Sequence, residues 1–476
     1  MHQSLLTLAA LALLGGCNLA PLYERPVAPI TPAWPAGEAY KGVPAGQAGA
    51  RPVTFIEWRD YFADARLRGV ISLALANNRD LRVSVANIER ARARYAISSA
   101  PLLPTVSATV SQDALRTPRS LSAVGESYTS RQYNGALTLA VYELDFFGKV
   151  RNASEAALQT YLGTEEARRT QQISLVAEVA NAWLNLTADR QRLKLAHETL
   201  ASQQTTYELS RRRFAAGATS GVDMYDAQTS VETARNDVAT YTAQIALDQN
   251  ALTLLVGGPV PANLLPEGEP VAVAAIQALP TGLPSDLLRD RPDVQQAERA
   301  LRAANANIGV ARAAFFPSIA LTASGGSASR DLSGLFKAGS GAWHFAPQVN
   351  LPIFDGGVNR ANLDIARAER AITLSQYEKA VQVAFREVAD ALAIRGTIDA
   401  RLSSQQALVE AAETSFRIND ARYRKGADTY LNALVSQRAL YAAQQGLISE
   451  RLSQTSNAVS LYKVLGGGWQ PESGRP

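Results

Sequence analysis

Hydrophobic residues recur at alternating spacings of four and three along several long stretches of the chain. The first such seam consists of Ala297, Leu301, Ala304, Ile308 and Ala311. A second seam consists of Val381, Phe385, Val388 and Leu392, and its equivalents 208 positions earlier are Ile173, Ala177, Ala180 and Leu184. This spacing places the seam on one face of a helix. Because many of these residues are Ala, the pattern predicts long helices that pack closely side by side as coiled coils.

Four shorter stretches alternate between apolar and polar residues, which is typical of strands. The first pair lies at about 104–112 and 132–145, with apolar positions at Val106, Ala108, Val110, Leu137, Leu139 and Val141. The second pair lies at about 317–326 and 342–353, with apolar positions at Ile319, Leu321, Ala323, Trp343, Phe345, Val349 and Leu351. Each stretch has about the ten residues that a tilted transmembrane strand needs. A soluble hairpin is the alternative interpretation.

The two halves of the chain repeat the same order of elements. Gly426 follows Gly217 by 209 positions, and the same offset pairs the run at 255–258 with the run at 464–467. Nearer the start of each half, Pro317 follows Pro104 by 213 positions. These offsets indicate a tandem duplication. Each copy, at 58–258 and 285–468, is predicted to run helix, strand, strand, helix, turn, helix.

Proline residues mark the segments that flank the two copies. They are concentrated before residue 57 and again within 259–284, where they favour extended backbone. None occurs between Pro118 and Pro259 or between Pro352 and Pro471, so very long helices are permitted there. We therefore expect an extended N-terminal segment at 17–57, a linker at 259–284 and a C-terminal tail at 469–476.

The four predicted strands are too few to close a barrel, and lipid does not tolerate an open sheet edge. Several chains are therefore expected to share one barrel, with eight strands from two chains or twelve from three. The strand pattern does not choose between these numbers. Aromatic residues gather where helices meet strands, as in the interfacial girdle of a transmembrane barrel, at Phe146, Phe147, Phe315, Phe316 and Phe354.

The first 17 residues predict a lipoprotein leader. The apolar run from Leu5 to Leu14 is too short for a membrane-spanning helix but suits a signal peptide, assigned to 1–16. It ends in Leu-Gly-Gly-Cys, which resembles a bacterial lipobox and predicts acylation of Cys17. In the lipoprotein pattern, a residue other than Asp after the cysteine, here Asn18, resembles the signal for delivery to the outer membrane. The absence of Lys and Arg from residues 1–5 departs from the pattern, and an ordinary signal peptide with a chance cysteine is the alternative.

Composition excludes several classes of function. The chain has 476 residues, of which 47% are hydrophobic, and its net charge is +4 with both signs scattered. A nucleic-acid-binding protein would carry a more clustered basic charge. A single cysteine forms no internal disulfide, and three histidines are too few for a metal cluster. Because nucleotide-binding glycine motifs and nucleophile elbows are also absent, we expect no enzyme, no cofactor and no metal.

One turn sequence occurs in both copies. The stretch RFAAGATSGVDMYDAQ at 213–228 corresponds to RYRKGADTYLNALVSQ at 422–437. Gly217 suits a left-handed helix stop, and Ser220 followed by Asp223 suits a capping-box start. Gly426, with Thr429 and Asn432 after it, predicts the same reversal in the second copy. Each turn is therefore a helical hairpin tip, although capping does not explain the Arg-aromatic pair and the Gln present in both.

Together with the duplication and the lipobox, the motifs LPIFDGG at 351–357 and RYRKGADTYLNAL at 422–434 resemble the outer membrane factors of tripartite efflux systems. This TolC-like and OprM-like family includes the NodT-type lipoproteins. The resemblance implies a mixed, mostly α-helical fold and a homotrimer, in which twelve strands form one outer-membrane β-barrel and twelve helices form a periplasmic coiled-coil barrel. It also implies a passive export duct that opens when a periplasmic adaptor and an inner-membrane pump dock at the hairpin tips.

The resemblance also implies roles for individual residues. The residues that match the adaptor-binding tips are Gly217, Thr219, Ser220, Val222, Asp223, Gly426, Thr429 and Leu431. Tyr423, Asp428 and Asn432 match the periplasmic gate. The sequence departs from the TolC-like branch because Asn432 and Val435 stand where that branch has two acids.

Two alternatives remain at this point. A periplasmic adaptor lipoprotein would also contain a coiled-coil hairpin, but a single one flanked by lipoyl-like halves. A soluble helical scaffold would form no pore. The exported substrate is left open, because the upstream pump selects it.

Overall fold

The computed structural model describes residues 18–41, 56–123, 125–268 and 288–467. The signal peptide, Cys17 and the tail at 469–476 lie outside these residues, as does most of the linker at 259–284. The helices are α1 (Trp58–Tyr61), α2 (Ala65–Asn77), α3 (Arg79–Ser99), α4 (Lys149–Ala215), α5 (Gly221–Val256), α6 (Pro292–Ala313), α7 (Val358–Arg424) and α8 (Tyr430–Val464). The strands are β1 (Val106–Thr117), β2 (Tyr128–Leu144), β3 (Ser318–Ser329) and β4 (Gly341–Asn350).

The duplication predicted from the sequence is present in the structure. Helices α4 and α7 each contain 67 residues, and both their first and their last residues are 209 positions apart. At 1.5 Å per residue, each helix would be about 100 Å long. The predicted seam faces the interior, since Ala180 and Val388 are both fully buried. Within the described residues, no helix is both long and apolar enough to cross a membrane.

The four strands form one antiparallel sheet in the order β1-β2-β3-β4. This sheet belongs to the first of two compact units, which holds described residues 18–27, 87–165 and 296–377. Register places the predicted apolar positions on one face. One row runs Ala108, Leu137, Gly325, Trp343, and the next runs Val106, Leu139, Ala323, Phe345.

Four strand ends differ from the sequence-based expectation by three or more residues. β2 begins at Tyr128 rather than at 132, and β3 ends at Ser329 rather than at 326. The other two differences have a physical reason. β1 continues to Thr117, beyond the expected end at 112, because its last residues pair with β2 as far as Tyr128. Polar residues on both faces there remove the alternation that would mark the strand. β4 ends at Asn350 rather than at 353. The next residue across would be Pro317, which has no N–H to continue the ladder.

The N-terminal strap, which we define as residues 18–27, lies antiparallel along α6 in the same unit. Near its start, the carbonyl oxygen of Leu19 accepts a hydrogen bond of 3.1 Å from Arg312. Near its end, Arg25 lies 2.5 Å from the carboxylate of Glu298, and the Tyr23 hydroxyl donates to the same carboxylate at 3.2 Å. Because Glu298 is buried, these charged contacts hold the strap in one register on the helix.

The second unit holds described residues 28–41, 56–86, 166–268, 288–295 and 378–467. At its core, the rings of Tyr61 and Tyr462 stack with centroids 4.2 Å apart. Their hydroxyls donate to the carbonyl oxygens of Ala458 and Ile56, respectively. A buried arginine, Arg291, donates to the Val464 carbonyl at 2.8 Å and so caps the end of α8. These contacts join the first helices of the unit to its last one, and the ends of both hairpins lie in the same unit.

Candidate functional site: the tips of the two hairpins

The first tip reverses the chain between α4 and α5. Gly217 has a φ of 68°, and its N–H donates to the Phe214 carbonyl, while the Ala218 N–H donates to Arg213. This pattern satisfies the last carbonyls of α4. The Ser220 hydroxyl then accepts a hydrogen bond of 3.3 Å from the Asp223 N–H and starts α5.

The carboxylate of Asp223 does not complete the expected capping box. It accepts a hydrogen bond from the Thr219 hydroxyl instead. The two residues therefore brace the inside of the turn, while Ser220 alone supplies the helix cap.

The second tip repeats the helix stop but begins its next helix differently. Gly426 has a φ of 72°, and the N–H groups of Gly426 and Ala427 donate to Tyr423 and Arg422. Thr429 occupies the N-cap position of α8, but its side chain accepts no capping hydrogen bond. Thr429 therefore occupies the expected N-cap position without the expected side-chain bond. The adjacent carboxylate of Asp428 accepts from the Thr429 N–H and from the Asn432 side chain instead.

Asp428 is the acceptor of three hydrogen bonds at the second tip. Its carboxylate accepts from the Asn432 side chain and the Thr429 N–H, both at 2.8 Å, and from Arg422 Nε at 3.0 Å. These three donors, Asn432 most strongly, lower the pKa of Asp428 below its ordinary value. Asp428 is therefore a fixed negative charge at neutral pH.

An arginine of the first hairpin caps the long helix of the second. The guanidinium of Arg213 donates to the carbonyl oxygens of Tyr423 at 3.3 Å and Arg424 at 3.0 Å, which are in the last turn of α7. Its Cζ also lies 4.7 Å from the centroid of the Tyr423 ring. A cation at a helix C-terminus is favoured by the helix dipole, and a guanidinium over an aromatic face adds a cation–π attraction.

Tyr423 is part of a small buried core between the hairpins. Its hydroxyl lies 3.0 Å from that of Ser210 on α4, and both residues are buried. The Tyr430 ring packs beside it with centroids 5.3 Å apart. The cluster is completed by Ala227, Ala433 and Leu434. Burial is the main cause that raises the pKa of Tyr430 to about 12, so neither its charge nor its titration contributes at physiological pH.

Exposed apolar side chains surround the two tips. Val222 at the start of α5 is 68% exposed, and Leu431 at the start of α8 is 58% exposed. The same property is shared by Phe214, Tyr225 and Val435. Apolar side chains that remain exposed at a helical tip favour contact with another helical surface.

Some of the sequence-predicted gate residues contact one another in the structure, and another has a different environment. Asp428 and Asn432 are bonded to each other, whereas Tyr423 packs into the core and bonds across to the first hairpin. Sequence reasoning missed Ser210, and it left the repeated Arg-aromatic pair unexplained. That repeated pair was the available signal, since its first arginine, Arg213, forms the contact with Tyr423.

Within the part of the chain that the structure describes, no group of His, Cys, Asp and Glu side chains is arranged to hold a metal ion. The polar side chains at the tips bond to one another and to helix ends, as described above. The arrangement is one that holds two hairpins together.

Comparison with solved structures defines the class of protein. The open state of the MtrE outer membrane channel of Neisseria gonorrhoeae is 38% identical, with a TM-score of 0.85 over 95% of this chain and 99% of that one. The Campylobacter jejuni CmeC outer membrane channel is 25% identical, with a TM-score of 0.87 over 95% of each chain. The fold is therefore that of an outer membrane channel.

The family follows from sequence comparison. The model of the outer membrane efflux protein family matches residues 70–258 and 283–467. The probable efflux pump outer membrane protein TtgC of Pseudomonas putida is 47% identical over 100% of this chain and 98% of its own length. Outer membrane protein OprJ of Pseudomonas aeruginosa is 41% identical over 96% and 94%. This chain belongs to the outer membrane efflux protein family.

These matches confirm the resemblance, the fold class and the outer-membrane location predicted from the sequence. They place the chain with the outer membrane components of efflux pumps and not with the periplasmic adaptors. The two matched segments also correspond to the two structural copies, each of which ends after its hairpin.

Proposed function

We propose that three copies of this chain form a passive export duct, which a periplasmic adaptor and an inner-membrane pump open for efflux. Family membership supports the role in efflux. The exposed sheet supports a barrel shared by several copies, and the tips support contact with an adaptor.

The observation that carries the proposal is the exposed apolar face of the sheet. Val110 is 76% exposed and Trp343 is 82% exposed. Their strands, β1 and β4, are the two edges of the sheet. Lipid would cover the apolar face, but it cannot satisfy the open backbone groups of the two edges. The edges of other copies would satisfy them, and three sheets of four strands give a twelve-stranded barrel, within the range of known barrels.

Pro347 is a residue that the proposed pairing at one of these edges must accommodate. It lies inside β4 opposite Leu321, where a proline is tolerated because β4 is an edge strand in the single chain. With no N–H at this position, the outer edge of β4 offers an interrupted ladder. A partner strand would bond on either side of this position.

The tips are the proposed contact with the rest of the pump. Helical hairpins of an adaptor would bind the apolar side chains around Val222 and Leu431, beside Gly217, Thr219, Ser220, Asp223, Gly426 and Thr429. Tyr423, Asp428 and Asn432 would hold the periplasmic end closed until the adaptor docks. The buried Tyr423 hydroxyl supports this role, since its contact with Ser210 must change if the hairpins separate. The hydrogen bonds of Asp428 lie within the second tip and support it by keeping that tip in one conformation.

The N-terminus, the energy source and the cargo complete the proposed duct. Acylation of Cys17 would attach the N-terminus to the outer membrane. The duct would carry out no catalysis and would need no cofactor, because transport would be driven by the pump. Relatives of this chain are named for efflux of antibiotics and toluene, so small organic molecules are the first cargo to test.

Reconstitution in a planar bilayer tests the proposal. We expect stepwise conductance from purified trimer, low at first and larger when the gate residues are substituted. Light scattering in detergent should give three times the monomer mass. A folded, outer-membrane-targeted protein that is monomeric, or that never conducts, would contradict the duct.

A further inference from the structure

Arg213 contacts the end of α7. The duplication implies an equivalent contact with the copies exchanged, and this second contact is not formed within one chain. The duplication relates Arg213 to Arg422, and it relates Phe214 to Tyr423, in each case over 209 positions. The observed pair is Arg213 over Tyr423. Its counterpart, obtained by exchanging the two copies, is Arg422 over Phe214.

The receiving end of α4 has the same backbone geometry as the end of α7. The Phe214 carbonyl accepts the Gly217 N–H at 2.9 Å, and the Tyr423 carbonyl accepts the Gly426 N–H at 3.0 Å. The Tyr423 carbonyl receives a second donor from Arg213. A carbonyl oxygen has two lone pairs, so the end of α4 can receive the same second donor at Phe214.

Within one chain, neither half of the counterpart contact is formed. Phe214 is 45% exposed, whereas Tyr423 is 4% exposed under the Arg213 guanidinium. Arg422 instead donates through Nε to Asp428, and its side chain is 56% exposed. This bond leaves the two terminal amino groups of the guanidinium fork for further acceptors.

We propose that Arg422 binds the C-terminal end of α4 in a second copy of this chain, where its guanidinium lies over Phe214 of the partner subunit and donates to the last carbonyls of that helix. The proposal rests on the trimer of the proposed function. In a closed ring each hairpin has one neighbour from its own chain and one from another chain. Two kinds of arginine contact would then alternate around the ring. Arg213 would bind a helix end of its own chain, and Arg422 would bind a helix end of the neighbouring chain.

Asp428 acquires a second role in this arrangement. By accepting from Nε, Asp428 fixes one edge of the Arg422 guanidinium. The two terminal amino groups are then held in place as donors. A charge-assisted hydrogen bond of this kind reduces the rotational freedom that binding would otherwise remove. Asp428 is thus a positioning residue for the contact between copies.

Cysteine cross-linking in the full-length trimer tests the proposal. The double variant Phe214→Cys/Arg422→Cys is treated in detergent with a short bis-maleimide, and the products are separated under denaturing conditions. We expect species of two and three chain masses, which neither single variant gives. The matched control is Arg213→Cys/Tyr423→Cys, which carries the observed contact and should cross-link within one chain, leaving the monomer mass unchanged.

Cross-linked products that stay at the monomer mass, from protein whose native mass is trimeric, would overturn the contact and leave the duct intact. A monomeric native mass would overturn both. The variant Arg422→Gln gives a second measurement, because it removes the charge without introducing a cysteine. We expect its trimer to dissociate at a lower denaturant concentration than Arg417→Gln, a matched loss of charge on the same helix, with helicity unchanged. Equal dissociation of the two variants would count against the proposal.

Discussion

The hydroxyl oxygens of Ser210 and Tyr423 lie 3.0 Å apart, although the two residues belong to different hairpins. Both side chains are buried, so water cannot replace the bond without an opening between α4 and α7. A buried polar group that loses its partner costs about 1–3 kcal/mol. Separation of the two hairpins at this point therefore carries a definite energetic cost.

Replacing Tyr423 by Phe is expected to favour the open tip. The substitution leaves the Ser210 hydroxyl buried without this partner, at a cost of about 1–3 kcal/mol to the closed arrangement. Single-channel recording should show a larger open fraction. The matched control is Tyr430→Phe in the same cluster, whose buried hydroxyl does not bond to Ser210 or to any other residue of α4. Equal effects of the two substitutions would mean that ring packing, and not the hydroxyl bond, restrains the tip.

Replacing Asp428 by Ala is expected to raise conductance and antibiotic leakage. The change removes the shared acceptor of Arg422, Thr429 and Asn432, so the second tip loses its internal bonds. The control is Asp420→Ala, which breaks a partly exposed ion pair between Asp420 and Arg424 within α7. Such surface pairs contribute little. Unchanged conductance in the Asp428 variant would remove this residue from the gate.

Replacing Glu298 by Gln is expected to loosen the N-terminal strap. Burial raises the pKa of Glu298, but hydrogen bonds from Arg25 and Arg302 outweigh burial and lower it overall. The ionised carboxylate therefore stabilises the strap above its unfolded-state pKa, and this contribution is lost as pH falls through the lowered value. Hydrogen exchange of residues 18–27 should be faster in the variant at neutral pH.

The same experiment contains its own pH test. The wild-type strap should exchange like the variant once Glu298 is protonated, and the two should differ most at neutral pH. The exposed Glu410→Gln serves as a control for the loss of one negative charge. Strap exchange that is identical in all three proteins at neutral pH would show that backbone contacts alone hold the segment.

Replacing Asp248 by Asn is expected to remove a pH dependence of stability in the helical hairpins. Burial, with the neighbouring Asp189, raises the pKa of Asp248 to about 6. Because the folded state holds this proton more tightly than the unfolded state, stability falls as pH rises from about 4 to about 6. The variant should be more stable than wild type at neutral pH in thermal unfolding. Asp390→Asn, at an exposed site, should show no such gain.

The helices and the duplication could be predicted from the sequence because both are encoded in regular spacing. The absence of proline between Pro118 and Pro259 permitted α4, and this helix passes through Gly163 without a break. A single glycine costs only about 1 kcal/mol in a helix. Packing of the buried seam readily offsets that amount.

The contacts across the tips could not be predicted in the same way. Ser210 and Tyr423 are 213 positions apart, and no local pattern indicates that one faces the other. The hydrogen bonds of Asp428 beside the start of α8 were not predicted for a related reason. Asp428 and Thr429 are adjacent and both are good acceptors, and only the three-dimensional arrangement shows that the charged residue binds Asn432.

At Gly217 and Gly426, the backbone conformation and not the available space restricts which residues can replace glycine. A side-chain carbon built on either residue would meet no atom within 4 Å, so the tip surface has room for substituents. The positive φ angles nevertheless disfavour every L-amino acid, Asn least. A D-alanine introduced by chemical ligation would satisfy both conditions. The two tips could therefore carry mirror-image residues, or probes attached to them, without a change in the path of the chain.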